Sequence, residues 1–210
     1  MKQLLIEHIS NIEVPKSTLI ESMNGNDGRL ILRNVLLQRA DTPNKNKRVY
    51  GRAILDKALN EYFEKIREKK AFSELDHPMG DDANVISLKN VCQAIKDAYW
   101  KGNEIRGDVE ILNTPSGNIV KEILLAGYRV GQSSRGLGSV TPLREGGDDL
   151  VEVQDDFEFL TLADCVSDPS THNADMIIGE NYKSSTTQPN KIDSLIRDLI
   201  CELGGQCCIK

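Results

Sequence analysis

Apolar residues at Ile54, Leu55, Ala58, Leu59, Tyr62, Phe63 and Ile66 recur at the 3.6-residue period of a helix. Lys57, Asn60, Glu61 and Lys65 fall between them, so Arg52 to about Lys69 predicts a surface helix packed on a sheet. The period changes to two at Ile105, Gly107, Val109 and Ile111, which alternate with Arg106, Asp108 and Glu110. An alternating strand needs a partner, and Leu88 to Trp100 is the nearest, joined through the turn-like Lys101-Gly102-Asn103-Glu104. Arg29 to Gln38, rich in Leu, Ile and Val, predicts a strand partly buried on both faces, and Ala71 to Pro78 a short strand and its exit loop. Thr114-Pro115 supplies an N-cap and a first-turn proline for a short helix with Ile119, Val120, Ile123 and Leu124 inward, closed by Gly127.

Tyr128-Arg129-Val130 re-enters the sheet and leads into Gly131-Gln132-Ser133-Ser134-Arg135-Gly136-Leu137-Gly138-Ser139, whose small residues read first as an exposed loop. Leu150 to Val153 and Phe157 to Val166 predict a hairpin across Gln154-Asp155-Asp156, with Asp168-Pro169-Ser170 ending the last strand. Before Gly28 the pattern is weak: a strand near the start, then a loop with a turn cluster from Asn24 to Gly28. Thr171 to Asn190 is polar, and an amphipathic helix is expected from about Lys191 to Leu203. Strands interrupted by single helices, without regular βαβ alternation, predict an α+β domain on a small, mostly antiparallel sheet or barrel. The expected division is one domain over residues 1–170 and a linker with a C-terminal tail over residues 171–210.

Length and charge narrow the class. A chain of 210 residues can bury one enzyme-sized core. Its net charge of −6 argues against nucleic acid as a general partner. The apolar run at the N-terminus reaches Glu7 too early for a signal peptide, and no segment approaches a membrane span, so the expectation is a soluble chain with no membrane partner. Cys92, Cys165, Cys201, Cys207 and Cys208 form no C-x-x-C pair, which favours reduced thiols in a cytoplasm.

The Gly131–Ser139 run fails several phosphate and hydrolase templates. No Lys-Ser or Lys-Thr follows its second glycine, and Thr141 replaces the third glycine of a dinucleotide fingerprint. Arg135 stands where the nucleophile elbow of α/β-hydrolases needs glycine. With three histidines, His8, His77 and His172, and no H-E-x-x-H, neither a metal site nor a cofactor is expected. What remains is a serine nucleophile, Ser133 or Ser134, which needs an imidazole to take its proton and an acceptor to fix that imidazole. His77, at a strand end beside Pro78, is the best-placed base.

Four stretches then carry a family resemblance: Asn44-Lys45-Asn46-Lys47-Arg48-Val49-Tyr50, Glu74-Leu75-Asp76-His77-Pro78, Trp100-Lys101-Gly102-Asn103, and the Gly131–Ser139 run. In content and order the chain resembles, from about Leu30 to Ser170, the prohead core protein proteases of T-even-type tailed phages, relatives of the herpesvirus assemblins. The resemblance implies a small β-barrel wrapped by helices and a serine endopeptidase acting inside the immature capsid in the host cytoplasm. It puts the base on His77 and the nucleophile on Ser133, with Ser134 as fallback. The third member falls on Asp164, with His172 as competitor because assemblins use a second histidine, while Asp76 is expected to point away. Oxyanion donors are expected near Val166 and Ser167, and Arg135 is expected either to orient water or to be a solvated loop cation. The implied substrates are scaffold core proteins and the major capsid protein, cut after glutamate in an apolar-x-Glu context, and self-association is left open. Ile178-Gly179-Glu180 and Ile200-Cys201-Glu202 fit that pattern as self-cleavage sites, but so do Leu5-Ile6-Glu7, Leu19-Ile20-Glu21 and Leu150-Val151-Glu152. A non-catalytic structural component of the prohead core is the alternative reading.

Overall fold

A computed structural model describes residues 2–78, 80–143, 149–167 and 175–177. The alternating segment and its partner form the hairpin that periodicity predicts: β5 (Val91–Lys101) and β6 (Glu104–Ile111) pair antiparallel across a turn in which Gly102 has φ +60°. A positive φ is nearly free for glycine and costs other residues, which is why this turn carries one. β2 (Leu30–Arg39) lies on the other side of β6, and the short β4 (Phe72–Glu74) on the other side of β5, giving a sheet ordered β2-β6-β5-β4.

A second sheet carries the Gly/Ser run. β1 (Gln3–Glu13) and β10 (Glu158–Val166) flank β7 (Val130–Gly138), both antiparallel to it, and Asp175–Ile177 adds a parallel strand, β11, to the far end of β1. The expected loop at Gly131–Ser139 is therefore a strand through Gly138, buried at almost every position. The glycines serve close approach rather than turning: a Cβ on Gly136 would lie 2.4 Å from the Phe157 ring and 2.6 Å from the Glu158 carbonyl oxygen.

A small third sheet joins β3 (Arg48–Val49), β9 (Val151–Val153) and β8 (Val140–Pro142). This corrects the predicted hairpin at its pairing, not its strands. The turn at Gln154–Phe157 forms, but β9 pairs with β3 and β8 while β10 pairs with β7. A tight turn brings two strands close; whether they pair depends on the edges already available to each.

Among the described residues three α-helices pack around the strands. α2 (Arg52–Arg67) buries Leu55, Ala58, Leu59 and Tyr62, the stripe its period predicts, and α3 (Pro115–Leu125) starts on the Thr114 cap, whose hydroxyl accepts the Gly117 amide at 3.0 Å. α1 (Lys16–Gly25) occupies the span expected as a loop; Leu19 is its only fully buried residue, so it has no apolar stripe to read. The two larger sheets share one core running from Leu5 and Ile12 through Leu37, Leu59 and Val109 to Phe159 and Leu162. Buried polar pairs also tie them, Ser73 to Thr161 at 2.7 Å and Gln93 to Gln132 at 2.7 Å. Among the described residues their backbones meet only at an isolated parallel bridge, Leu75 to Cys165. The fold is thus mixed α+β and mostly antiparallel, but among the described residues its strands form three sheets and not the closed barrel that was expected.

Cys92 and Cys165 are free and buried; the remaining cysteines and the expected C-terminal helix lie outside the described residues. Two buried phenols give this core a pH signature. Burial and the adjacent Glu7 carboxylate push the Tyr50 hydroxyl well above its ordinary 10.0, and burial pushes Tyr62 up likewise. Unfolding returns both to the ordinary value, so above about pH 10 the unfolded chain loses protons that the folded chain keeps. Stability is then complete below about pH 10 and falls as pH rises through it, by up to about 1.4 kcal/mol per pH unit for each phenol. Urea unfolding of wild type and Tyr62→Phe at a series of alkaline pH values is expected to show the shallower decline in the variant; parallel declines would contradict it.

Candidate active site

One rung of the second sheet assembles most of the site. Register places Asp164 on β10 directly opposite Ser133 on β7, and His8 on β1 directly opposite Ser133 on its other side. Directly paired residues project from the same face, so the carboxylate, the hydroxyl and the His8 ring stand in a row. Ser134, one position along, projects from the opposite face and accepts from the Gln38 amide at 3.4 Å. Its hydroxyl is therefore directed to Gln38 and not to His77.

His77 reaches this row from the end of β4. Asp76 has φ +60° and its amide donates to the Cys165 carbonyl at 2.8 Å, which locks the exit of β4 against β10 and turns the next residue over the sheet. Aspartate is among the few residues that tolerate the left-handed region. Asp76 thus shapes the turn and does not pair with the imidazole. His77 Nε2 lies 2.7 Å from Ser133 Oγ, and its Nδ1 lies 2.9 Å from Asp164 Oδ2. The Ser133 hydroxyl has a second acceptor, the Glu7 carbonyl oxygen at 3.0 Å, and with one proton it donates to one of the two at a time.

Asp164 is fully buried and both of its oxygens are bonded. Its Oδ1 accepts the Glu74 amide at 2.8 Å, while Oδ2 accepts from both His77 and Arg135 Nε. Arg135 is itself 0 % exposed; it also donates to the Glu74 carboxylate, and to the Ala83 carbonyl at 2.9 Å. The solvated loop cation expected at Arg135 is instead a fully buried strand residue behind Asp164. Glu74 accepts the Ser87 amide at 3.0 Å as well, so the loop after His77 is tied to the same cluster. No charge here is left without a partner, which is the condition for burying three of them.

His77 is partly open, with 15 % of its side chain exposed, at the edge of a cleft of about 410 Å³ lined by Leu4, Ile6, His8, Asn46, Arg48 and His77. The rings of His8 and His77 meet edge to face with centroids 5.7 Å apart. Neither His8 nor Glu7 was singled out in the sequence, where His8 had no motif around it and Glu7 only completed a common tripeptide. Val166 pairs with Gly131 in the ladder, and Ser167 is the exposed residue just beyond it. His172, Glu180 and Glu202 lie outside the described residues. No group of three or more metal-ligating side chains occurs among the described residues.

A base bonded on one side to a hydroxyl and on the other to a buried carboxylate is the arrangement used for acyl transfer. The family model described as prohead core protein serine protease matches residues 9–186. The prohead core protein protease of Enterobacteria phage T4 is 33 % identical over 177 residues, covering 81 % of this chain and 80 % of that protein. The solved structure of the bacteriophage T4 capsid assembly protease superposes with a TM-score of 0.63 at 26 % identity, over 80 % of this chain and 99 % of that one. With most of its length matched in sequence and in fold, the chain belongs to the prohead core protein serine protease family.

Proposed function

We propose that this chain is a serine endopeptidase of phage capsid maturation, with Ser133 as nucleophile, His77 as general base and Asp164 as the group that orients His77. The observation that carries the reading is the pair of hydrogen bonds on opposite nitrogens of His77, at 2.7 Å and 2.9 Å. Ser133 Oγ attacks the carbonyl carbon of the scissile peptide as its proton passes to His77 Nε2. Asp164 holds Nδ1–H and stabilises the imidazolium that forms. The same proton then goes to the leaving amine, the acyl-enzyme remains on Ser133, and a water activated by His77 releases it. Arg135 offsets part of the negative charge of Asp164 and Glu74 and holds Asp164 in place without touching substrate.

Oxyanion stabilisation is assigned to backbone amides at Val166 and Ser167. Alternation favours Ser167: the Cys165 carbonyl bonds the Asp76 amide, so the groups of residue 167 project to the His77 side, while those of Val166 face β7. Family membership supports prohead proteins as substrates, acted on in the immature capsid within the host cell. Cleavage after glutamate and self-processing in the C-terminal region, at Glu180 or Glu202, complete the proposal. Two of the competing tripeptides are poor targets, since Glu7 is buried in β1 and Glu152 lies in β9.

Intact mass of purified wild type beside Ser133→Ala and His77→Ala tests the reading. Trimming of the C-terminal region is expected in wild type and lost in both variants; trimming that persists in Ser133→Ala overturns the nucleophile. Asp164→Asn should lower kcat about ten-thousand-fold, and a larger loss in His172→Ala than in Asp164→Asn would move the third role to His172. Arg135→Ala leaves two buried carboxylates facing each other and is expected to cost about 3–5 kcal/mol in urea unfolding. A cost no larger than about 1 kcal/mol, typical of surface pairs, would contradict the burial argument.

A further inference from the structure

The Asn44–Tyr50 stretch contributes no member to the triad, yet four of its side chains converge on one buried atom group. The Glu7 side chain is 2 % exposed. Asn44 Nδ2 at 2.6 Å and Asn46 Nδ2 at 2.7 Å donate to its Oε2, while Arg48 Nη1 at 2.8 Å and Tyr50 Oη at 2.6 Å donate to its Oε1. The stretch is pre-formed for this. A turn with Lys47 at φ +57° is closed by the Asn44 amide on the Arg48 carbonyl at 3.0 Å, and Asn44 Oδ1 accepts the amides of Asn46 and Arg48 at 3.0 Å each. Because burial and Glu7 both raise the Tyr50 hydroxyl, it stays a donor throughout the working pH range.

What the cage holds in place is the strand beside the nucleophile. β11 covers β1 only from Asn11 to Glu13, and the Asn44–Tyr50 loop takes the edge nearer the N-terminus, where Ile6 O accepts Asn46 Nδ2 at 2.9 Å. The main chain of Glu7 points the other way, towards β7, and its carbonyl oxygen is the second acceptor of Ser133 Oγ. Residues on either side of Glu7, Ile6 and His8, form the cleft wall with Asn46 and Arg48. One residue therefore connects, through its side chain, to a rigid loop and, through its main chain, to the attacking oxygen.

We propose that Glu7 is a positioning residue of this protease: its carboxylate, clamped by Asn44, Asn46, Arg48 and Tyr50, fixes the carbonyl that sets the rotamer of Ser133 Oγ between His77 and β1. The proposal rests on the assignment of Ser133 as nucleophile. The Glu7 side chain touches neither substrate nor the Ser133 proton; only its main-chain carbonyl meets the hydroxyl. Its effect is on how often Ser133 stands in line for attack, and a small displacement there is enough to cost up to about a hundredfold in rate.

The full chain treated with a fluorophosphonate provides the test. Ser133 Oγ bonds to phosphorus, fluoride departs and the hydroxyl proton passes to His77, so the labelling rate reads nucleophile alignment without requiring a peptide to bind. Three variants are compared with wild type well below their melting temperatures: Glu7→Gln, which turns an amide donor towards donors; Tyr50→Phe, which removes one donor and keeps the ring; and Leu59→Ala, a cavity in α2 that lowers stability away from the cleft. Labelling at Ser133 is expected to slow about tenfold or more in Glu7→Gln and about threefold in Tyr50→Phe, and to stay within about twofold of wild type in Leu59→Ala. For peptide cleavage by Tyr50→Phe, kcat should fall while KM holds. If Glu7→Gln does not fold, Tyr50→Phe decides alone. Folded variants labelled as fast as Leu59→Ala overturn the positioning role and leave the nucleophile standing, whereas a wild type not labelled at Ser133 overturns both.

Discussion

A guanidinium with no access to water holds the site together. Arg135 lies between the carboxylates of Asp164 and Glu74, which come from β10 and from the end of β4, while Arg135 itself comes from β7. Removing a charge from water is unfavourable by several kcal/mol unless its partners are in place, so three strands from two sheets must meet in a single geometry for any of these charges to be tolerated. That geometry also brings the His77 turn against Asp164. The buried cluster and the Ser133, His77 and Asp164 arrangement are thus one packing solution, in which the demand to neutralise Arg135 specifies where the histidine sits.

The cleft side is organised by a second buried ion with the opposite arrangement of partners. Around Arg135 one cation collects two carboxylates; around Glu7 one carboxylate collects four donors from a single turn. The first cluster holds Asp164 and, through it, His77; the second ties the Asn44–Tyr50 turn to β1 at its edge. Ser133 lies between them, bonded to the imidazole that meets Asp164 of the first and to the main-chain carbonyl of Glu7 at the centre of the second.

What could be read in the sequence follows from how local its cause is. α2 and the β5–β6 hairpin were legible because burial there repeats with a regular period over adjacent residues. α1 was not, since Leu19 alone is buried and ten residues of polar helix look like a loop. The Gly131–Ser139 run misled for the opposite reason: glycine, serine and arginine look solvated, but Ser133, Ser134 and Arg135 are all buried because their partners lie far away in sequence, Glu74 being 61 positions from Arg135. His77, Ser133 and Asp164 were named through family resemblance and not through periodicity, and the same resemblance overstated the sheet as a barrel. The Asn44–Tyr50 stretch shows no role in sequence, because its acceptor, Glu7, sits 37 to 43 residues away.

The two glycines after the arginine explain why such a strand can carry the site at all. β7 is the middle member of its three antiparallel strands, and its inner face must fit Phe157, whose ring contacts both Tyr50 and Phe159 edge to face. A side chain at Gly136 would collide with that ring and with the Glu158 carbonyl. Pushing β10 away there would lever Asp164 off the rung it shares with Ser133, since the two strands remain paired from Glu158 to Val166. The small residues that first suggested a flexible loop are therefore what lets β10 approach closely enough for the carboxylate, the imidazole and the hydroxyl to fall in line.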